Sequence, residues 1–534
     1  MNRMSWSGAE NANSTVVSTS AKTWRTVLLL LIVLGGGLIR LAGLYWGDGF
    51  RTSAIFDELN AYETALQTMA GQHPFYISQP HFNSGHIPGP LWTMFWVAPL
   101  HWSGQVQTVT AIMILLNTLV IYLVSVLAGR LFGERYRLWA ALIYATAPWV
   151  VYFSVGCWNP EVLALLGVLL YLALWQVMTQ PFSRSIFWVF LLLGVIPQFH
   201  MFVVFLVPPI FVLLGWRFKQ LNKPWLVAGI LTAGSLYLPY LLGEVAHGWQ
   251  NTRLMLIGHD PLSWGCFKSL TTPIACLSNL FASALGTGLS EYGEFGERAL
   301  GGVWVLALLN VLSLSLALVW VAAFLRSVKR SLRERQPMSP YLFVGLLLFG
   351  PLLLFVPASH SFNSRYCILL FPLMFLLPAV FVADLSLAGW RGRLMGAACL
   401  VTIVFNVVLS LAFFHDQQQE IATADYFIPS FPKMEQVYQT LKTQAGPAQA
   451  IRIDTSAFSA LSKEPISDKR TRGVLALARY VEIREAAAQR SYVPGPSEIL
   501  YARPVGNSFE LTDRLFYEGN GLAIIAKKPV AVNL

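Results

Sequence analysis

Charged side chains are scarce in this sequence. Asp, Glu, Lys and Arg make up only 12% of its 534 residues, whereas 55% are hydrophobic. A soluble globular domain carries about twice that share of charge, so a water-soluble fold of this size is excluded. Apolar runs near the span of a bilayer recur through roughly the first 415 residues, which predicts a polytopic membrane protein.

Cysteine is also sparse, with five residues in the whole chain. Cys266 and Cys276 share one predicted outer loop, where an oxidising compartment would permit a disulfide. Cys157, Cys367 and Cys399 lie in or beside apolar runs and are predicted only to pack. No His, Cys or carboxylate cluster has a convincing metal-ligand spacing, so we predict no obligatory metal and no other cofactor.

The spanning segments are predicted to be α-helices, because a lipid-embedded backbone must satisfy its own N–H and C=O groups and the alternation of a β-barrel is absent. We predict an all-α bundle of about eleven transmembrane helices, counted to within one. Their predicted positions are 26–45, 107–131, 137–155, 160–178, 185–199, 200–216, 225–244, 302–325, 341–357, 366–386 and 394–414. The interruption at 197–200 is interpreted as a tight hairpin.

Basic residues alternate from loop to loop, which predicts the orientation of the bundle. Residues 1–25 form a predicted cytoplasmic tail, 26–415 the membrane domain and 416–534 a small periplasmic α/β domain. The tail after residue 415 has 14 basic and 13 acidic residues, so the net charge of +10 lies on the cytoplasmic loops, beside anionic lipid. A nucleic-acid partner is therefore not required.

Most acidic residues of the membrane region lie on the predicted outer face, in or near loops 46–106 and 245–301. A bundle with its ionisable groups on one face is expected to work on that face. The stretch 90–102 combines tryptophans with apolar residues, as interfacial helices do.

The sharpest local pattern is the amphipathic segment 55–69, just beyond the first helix. Asp57 would cap this short helix, and Glu58 would favour the same N-terminus. The alternative interpretation is chemical: an acid at the lip of a membrane bundle can serve as a general base or orient an acceptor hydroxyl.

Several ordered motifs resemble one known family. They are the pair Asp57-Glu58, the segment His86-Ile-Pro-Gly-Pro-Leu91, the turn from Ala147 to Pro160, Gln198-Phe-His200, Leu238-Pro-Tyr240 and Arg365-Tyr366. The sequence thereby resembles, over about 400 residues, the polyprenyl-phosphate-sugar-dependent glycosyltransferases of the C-type (GT-C) fold. That family includes protein O-mannosyltransferases and the aminoarabinose transferase of lipid A.

The resemblance implies transfer of a sugar from a lipid-linked phosphate to an acceptor hydroxyl on the outer side, with inversion. Asp57, with Glu58 beside it, would be the base or acceptor-orienting acid. Arg365, with Tyr366 and His86, would hold the donor phosphate, because an anionic leaving group needs a cation and no protein acid. A snorkelling interfacial arginine is the other interpretation of Arg365, and loop shaping that of His86.

Further side chains are predicted as possible substrate contacts, each with a structural alternative. Arg40 lies within the first helix and needs a partner there. An ion pair with Asp57 or Glu58, which follow that helix, is the favoured interpretation. Asn159 occupies an ordinary capping position. The remaining possible contacts are His200, His360 and Glu244. The structural alternative for His200 is satisfaction of the local backbone, and that for Glu244 is a solvated acidic loop.

The last 119 residues mix charges with shorter apolar runs, and predict strands at 450–454 and 522–526 and a helix at 474–489. The partners implied are a polyprenyl-phosphate sugar, a glycan, lipid or protein acceptor, and membrane lipid. A bacterial inner membrane, with the N-terminus cytoplasmic, is the predicted location. A lipid or solute transporter is the alternative, although no internal repeat is visible.

Overall fold

The computed structural model describes most of the membrane region and parts of the tail. The residues described are 19–47, 55–80, 85–257, 325, 328–329, 333, 338–355, 364–385, 389–423, 431–445, 451–454, 469–488, 498–504, 513–519 and 522–527. The predicted helix at 302–325 and the two loop cysteines Cys266 and Cys276 lie outside this set, apart from residue 325.

Helices dominate the first 423 residues, as the composition predicts. In chain order they are α1 Thr19–Gly47, α2 Ile55–Met69, α3 Leu91–Ser103, α4 Val106–Phe132, α5 Arg137–Thr146, α6 Pro148–Tyr152, α7 Leu163–Thr179, α8 Ser185–Val195, α9 Val207–Trp216, α10 Lys223–Ser235, α11 Leu238–Ala246, α12 Gln250–Ile257, α13 Pro340–Phe355, α14 Phe371–Met374, α15 Leu376–Leu385 and α16 Gly389–Thr423. A short antiparallel pair, β1 Ile77–Pro80 and β2 His86–Pro88, follows α2.

Five helical segments in the described ranges are long and apolar enough to cross a bilayer. They are Thr23–Trp46, Val106–Phe132, Asn159–Thr179, Cys367–Asp384 and Gly396–Asp416. The bent pair α10 and α11 makes a sixth if it counts as one span, and three shorter apolar helices lie at Ser185–Gln198, Met201–Trp216 and Pro340–Leu354. The chain is therefore a multi-pass membrane protein, and the count of eleven stays a prediction.

Prolines break several helices that the sequence predicts as continuous. The predicted helix 137–155 is two pieces, because Pro148 lacks an N–H and holds the preceding Ala147 in an extended conformation (φ −61°, ψ 121°). The predicted helix 225–244 bends by 42° just before Pro239, for the same reason. At the expected interruption near Pro197, His200 is extended between two 3-10 turns, Ile196–Gln198 and Met201–Phe205.

The described part of the tail contains two helices and four strands, α17 Phe431–Ala445, β3 Ile451–Asp454, α18 Lys469–Ala488, β4 Glu498–Pro504, β5 Asp513–Gly519 and β6 Leu522–Lys527. The strand order is β3-β4-β6-β5, with β3 and β4 parallel and the other pairs antiparallel. The predicted strands at 450–454 and 522–526 and the predicted helix at 474–489 are confirmed as elements of this unit.

Candidate active site

Helix α2 follows α1 in the chain and carries the Asp57-Glu58 pair. The predicted helix 55–69 is confirmed residue for residue. Asp57 lies in the first turn of α2 and not at its cap, so its charge faces the positive end of the helix dipole. Asp57 is half-buried and reachable, whereas Glu58 is 2% exposed.

One wall beside Asp57 is formed by the loop before α7. The indole Nε1 of Trp158 donates to Oδ2 of Asp57 at 3.2 Å. The backbone N–H of Trp158 donates to Oε2 of Glu161 at 3.4 Å, which closes the 3-10 turn Asn159–Val162 as a capping box does. Glu161 is fully buried, and the carbonyl of Glu161 accepts from Nδ2 of Asn117 at 3.2 Å. The backbone of Trp158 is thus held by a buried carboxylate, while its indole contacts Asp57.

The glycine at position 156 leaves room for that carboxylate. A Cβ at Gly156 would lie 2.7 Å from Oε1 of Glu161, closer than a carbon and an oxygen tolerate. A side chain at this position would therefore displace Glu161 and, through it, Trp158.

A second wall carries the backbone of Arg365 and Tyr366. Their 3-10 helix, Ser364–Leu370, packs against α7 and against the turn Asn159–Val162. The Tyr171 hydroxyl donates to the carbonyl of Leu369 at 3.0 Å, which anchors this helix to α7. The predicted donor-binding segment is therefore next to the turn that holds Trp158. The side chains of Arg365 and Tyr366, and all of His360, lie outside the described residues.

His86 and Glu244 form a different cluster around Asn251. The side-chain amide of Asn251 accepts from the N–H of His86 at 2.6 Å and donates to the His86 carbonyl at 3.1 Å. Both oxygens of Glu244, which is 1% exposed, accept backbone N–H groups of α12, from Asn251 at 3.3 Å and Thr252 at 2.6 Å. Glu244 therefore stabilises the start of α12 and is not the solvated loop acid of the structural alternative, while a contact of Glu244 with substrate stays a prediction.

The ring of His86 also has a local partner. Nδ1 lies 2.9 Å from the carbonyl of Ser78, so it donates across the β1–β2 pair. The ring of His73 lies 6.2 Å from that of His86. The pKa of His73 is lowered mainly by burial and, to a smaller extent, by the nearby charge of His86. A role of His86 toward phosphate stays a prediction.

Asn159 and His200 both make backbone contacts: His200 satisfies local backbone as its structural interpretation predicts, whereas Trp158, and not Asn159, is the N-cap of the turn Asn159–Val162. Nδ2 of Asn159 donates to the carbonyl of Phe199 at 2.6 Å, and Nδ1 of His200 accepts from the N–H of Phe202 at 3.2 Å. Gln198 is fully buried, and its Oε1 fits against Gly89, where φ is +86° and a Cβ would lie 2.2 Å away. These contacts join the turn at 196–200 to the loop before α3.

The expected ion pair of Arg40 with Asp57 or Glu58 is wrong. The Arg40 guanidinium is fully buried, and Nη1 donates to the carbonyls of Gly36 at 2.8 Å and Ala145 at 3.0 Å. Backbone carbonyls at the broken end of α5 supply the partner, because a helix end leaves such acceptors unsatisfied. Arg40 thus joins α1 to α5.

The described residues contain no group of three or more His, Cys, Asp or Glu that could hold a metal ion. Cys157 and Cys367 are buried and Cys399 is partly buried.

Two important residues escape the sequence analysis. Trp158 is noticed only as part of a turn, although Trp158 and Glu161 have the three-residue spacing of a capping box. Asn251 gives no local signal, because its partner His86 is 165 residues away.

Comparison with known proteins gives a result at the level of structure only. No protein-family model and no curated protein matches the sequence. The fold matches ArnT from Cupriavidus metallidurans bound to undecaprenyl phosphate, with a TM-score of 0.58 and 12% identity over 95% of this chain and 100% of ArnT. The apo state of that ArnT matches with a TM-score of 0.56 and 12% identity, over 96% and 100% of the two chains.

The Archaeoglobus fulgidus oligosaccharyltransferase, in complex with Zn and sulfate, matches at a TM-score of 0.43 and 12% identity, over 78% of this chain and 56% of that one. ArnT, in contrast, is covered over its whole length. The chain therefore has the GT-C fold, in agreement with the resemblance of its motifs. Because a fold hosts more than one function, the activity is argued from the site.

Proposed function

We propose that this membrane protein is a glycosyltransferase that moves a sugar from a polyprenyl-phosphate donor to an acceptor hydroxyl on the periplasmic side. The observation that carries the proposal is the half-buried Asp57 carboxylate, held by the Trp158 indole at 3.2 Å beside the helix that bears Arg365. The same fold in ArnT holds undecaprenyl phosphate, which supports the donor class.

In the proposed reaction, Asp57 accepts the proton of the acceptor hydroxyl. The acceptor oxygen forms a bond to the anomeric carbon while the bond from that carbon to the phosphate oxygen breaks, with inversion. The electron pair of the broken bond leaves with the polyprenyl phosphate, whose charge Arg365 would balance. Because the leaving group is already anionic, the reaction needs no protein acid to protonate it.

The hydrocarbon chain of such a donor requires an apolar groove at membrane depth. A cavity of about 690 Å³ lies between α8, α9 and α10, and its lining includes Leu193, Phe211 and Ile230. This groove is our candidate for the polyprenyl chain.

In the proposed orientation, the tail after residue 415 lies on the periplasmic face and the N-terminus lies in the cytoplasm.

The test is consumption of a panel of polyprenyl-phosphate sugars by the purified protein, with envelope extract as acceptor. Consumption of one donor, with a product of inverted anomeric configuration by NMR, is the expected result. Tight binding of donors without turnover of any would favour the transporter alternative. Retained configuration would contradict Asp57 as a base in a single displacement.

The role of Arg365 has its own measurement. Replacement by alanine should weaken donor binding, because the phosphate loses a charge-assisted partner. Unchanged donor affinity in Arg365→Ala would defeat the phosphate assignment.

A further inference from the structure

A second cavity, which has polar side chains in its lining, lies one to two turns along α2 from Asp57. Its volume is about 500 Å³, and its walls come from α2, the start of α4 and the two tail helices α17 and α18. Small-molecule sites occupy roughly 300–1,000 Å³, so the cavity has the size of a binding site. We refer to this space as the tail cleft.

Side chains connect α2 to α18 beside the tail cleft. Arg479 forms an ion pair with Glu63 at 2.5 Å, and Nη1 of Arg484 donates to the Tyr62 hydroxyl at 3.2 Å. The rings of Tyr62 and Tyr480 stack with centroids 5.8 Å apart and planes 9° apart. The same helix that carries Asp57 therefore forms one wall of the cleft.

The charge inside the cleft is balanced. Nη2 of Arg484 donates to Oε1 of Glu435 at 3.1 Å, and the Tyr480 hydroxyl donates to Oε2 at 2.5 Å. Because Glu435 neutralises Arg484, an anion entering the cleft would gain no net attraction and would meet a carboxylate. The chemistry therefore favours an uncharged ligand over a phosphorylated one.

The remaining lining is rich in groups that both donate and accept hydrogen bonds. The amides of Gln105, Gln107 and Gln436 line the cleft, and two of the five N–H groups of Arg484 have partners among the described residues. Neighbouring hydroxyls of a sugar ring each donate and accept, and they match such amides. An apolar ligand would leave these groups without partners.

The position of the cleft relates this chemistry to transfer. Tyr62 follows Asp57 by five residues, which is about 7–8 Å along a helix. The cleft also opens beside the end of α3, where Trp102 is 82% exposed, as an interfacial anchor would be. A saccharide bound there would present a neighbouring hydroxyl toward Asp57 at the membrane surface.

We infer that the tail cleft binds the uncharged saccharide part of the acceptor, which makes the acceptor a glycan or glycolipid. This inference names the acceptor class for the glycosyltransferase proposed above and rests on that proposal. The amides of Gln105 and Gln436 are the contacts to test first, since both side chains are exposed and their removal spares the core.

The test is saturation-transfer NMR on the full-length protein in detergent, with neutral trisaccharides of hexose and heptose as probes. In the double variant Gln105→Ala/Gln436→Ala, the dissociation constant should rise at least about tenfold, because each lost hydrogen bond contributes a factor of about five. Gln444→Ala, another exposed glutamine on α17, is the matched control and should leave binding unchanged.

Three outcomes would overturn the inference. The first is the absence of saccharide binding to the wild type at about 10 mM, a concentration at which weak sugar binding is detectable. The second is equal binding by the double variant. The third is cleft binding only of a sugar phosphate or a serine-containing peptide. In turnover assays the double variant should raise the acceptor KM alone. A protein that binds trisaccharide but consumes no donor would instead refute the proposed function and leave the cleft assignment standing.

Discussion

Asp57 and Glu244 both lie beside the start of a helix on the predicted outer side, but their surroundings differ. Glu244 is 1% exposed, and both of its oxygens accept backbone N–H groups of α12. Asp57 is half-buried and accepts from a side chain, the indole of Trp158, at 3.2 Å. A carboxylate filled by backbone donors stabilises a helix, whereas one held by an indole and open to solvent can take a proton.

The largest effect that would sharpen this comparison is on Asp57. Asp57→Asn should lower kcat by about 10²–10⁴, the usual contribution of general base catalysis, because the amide cannot take the proton. Thermal stability and donor affinity should stay close to those of the wild type, since the shape of the side chain is kept. A variant that retains more than about a tenth of wild-type kcat in steady-state assays would remove Asp57 from the reaction.

The opposite pattern is expected at Glu244. Glu244→Ala should lower the free energy of unfolding by about 2 kcal/mol, because two N–H groups of α12 lose a charged acceptor. Turnover by the folded protein should be preserved at low temperature. Glu134→Ala, at a side chain 69% exposed, is the control for loss of an acid and should leave the melting curve unchanged. An unchanged free energy of unfolding for Glu244→Ala would contradict the stabilising role assigned to Glu244.

Trp158 should have a smaller effect on turnover. Trp158→Phe keeps the aromatic packing but removes the N–H that orients Asp57, so kcat should fall about fivefold, the value of one hydrogen bond. Trp102→Phe, at an indole 82% exposed, is the matched control. Equal kinetics for Trp158→Phe and wild type would mean that the indole does not position the base.

The smallest effect concerns pH and the loop beside the Glu244 cluster. The pKa of His73 in the folded protein is lowered by burial and by His86, while the unfolded chain has a value near about 6.5. As the pH falls below about 6.5 the unfolded state binds the proton first, so stability is lost as the pH falls through the folded pKa. His73→Gln should remove part of this loss in melting curves recorded at about pH 5 and about pH 7.5, which lie on either side of the unfolded-state pKa. His101→Gln, at an exposed ring, should not.

The sequence predicts the local elements of this protein well. Helix α2 and the interfacial helix α3 follow from periodicity and composition, and β3 and β6 from short apolar alternation. Strands β4 and β5 escape prediction, because short segments with mixed charge give a weak signal.

Contacts between distant residues could not be predicted in the same way. Trp158 meets Asp57 across 101 residues, and Asn251 meets His86 across 165. The sequence predicts that Arg40 pairs with the nearest acids along the chain. The helix break before Pro148 instead leaves the carbonyl of Ala145 without a helical partner, and Arg40 donates to it. The sequence predicts which side chains are candidates for a reaction, whereas the packing of the broken helices determines which of these side chains are in contact.

The most direct measurement compares donor consumption by wild type, Asp57→Asn and Glu244→Gln in the same vesicles, well below the melting temperature of all three. We predict about 1% or less of wild-type turnover for Asp57→Asn and at least about half for Glu244→Gln, because only the first carboxylate takes part in proton transfer. Equal losses in both variants, or a loss confined to Glu244→Gln, would contradict the assignment of Asp57 as the reacting carboxylate.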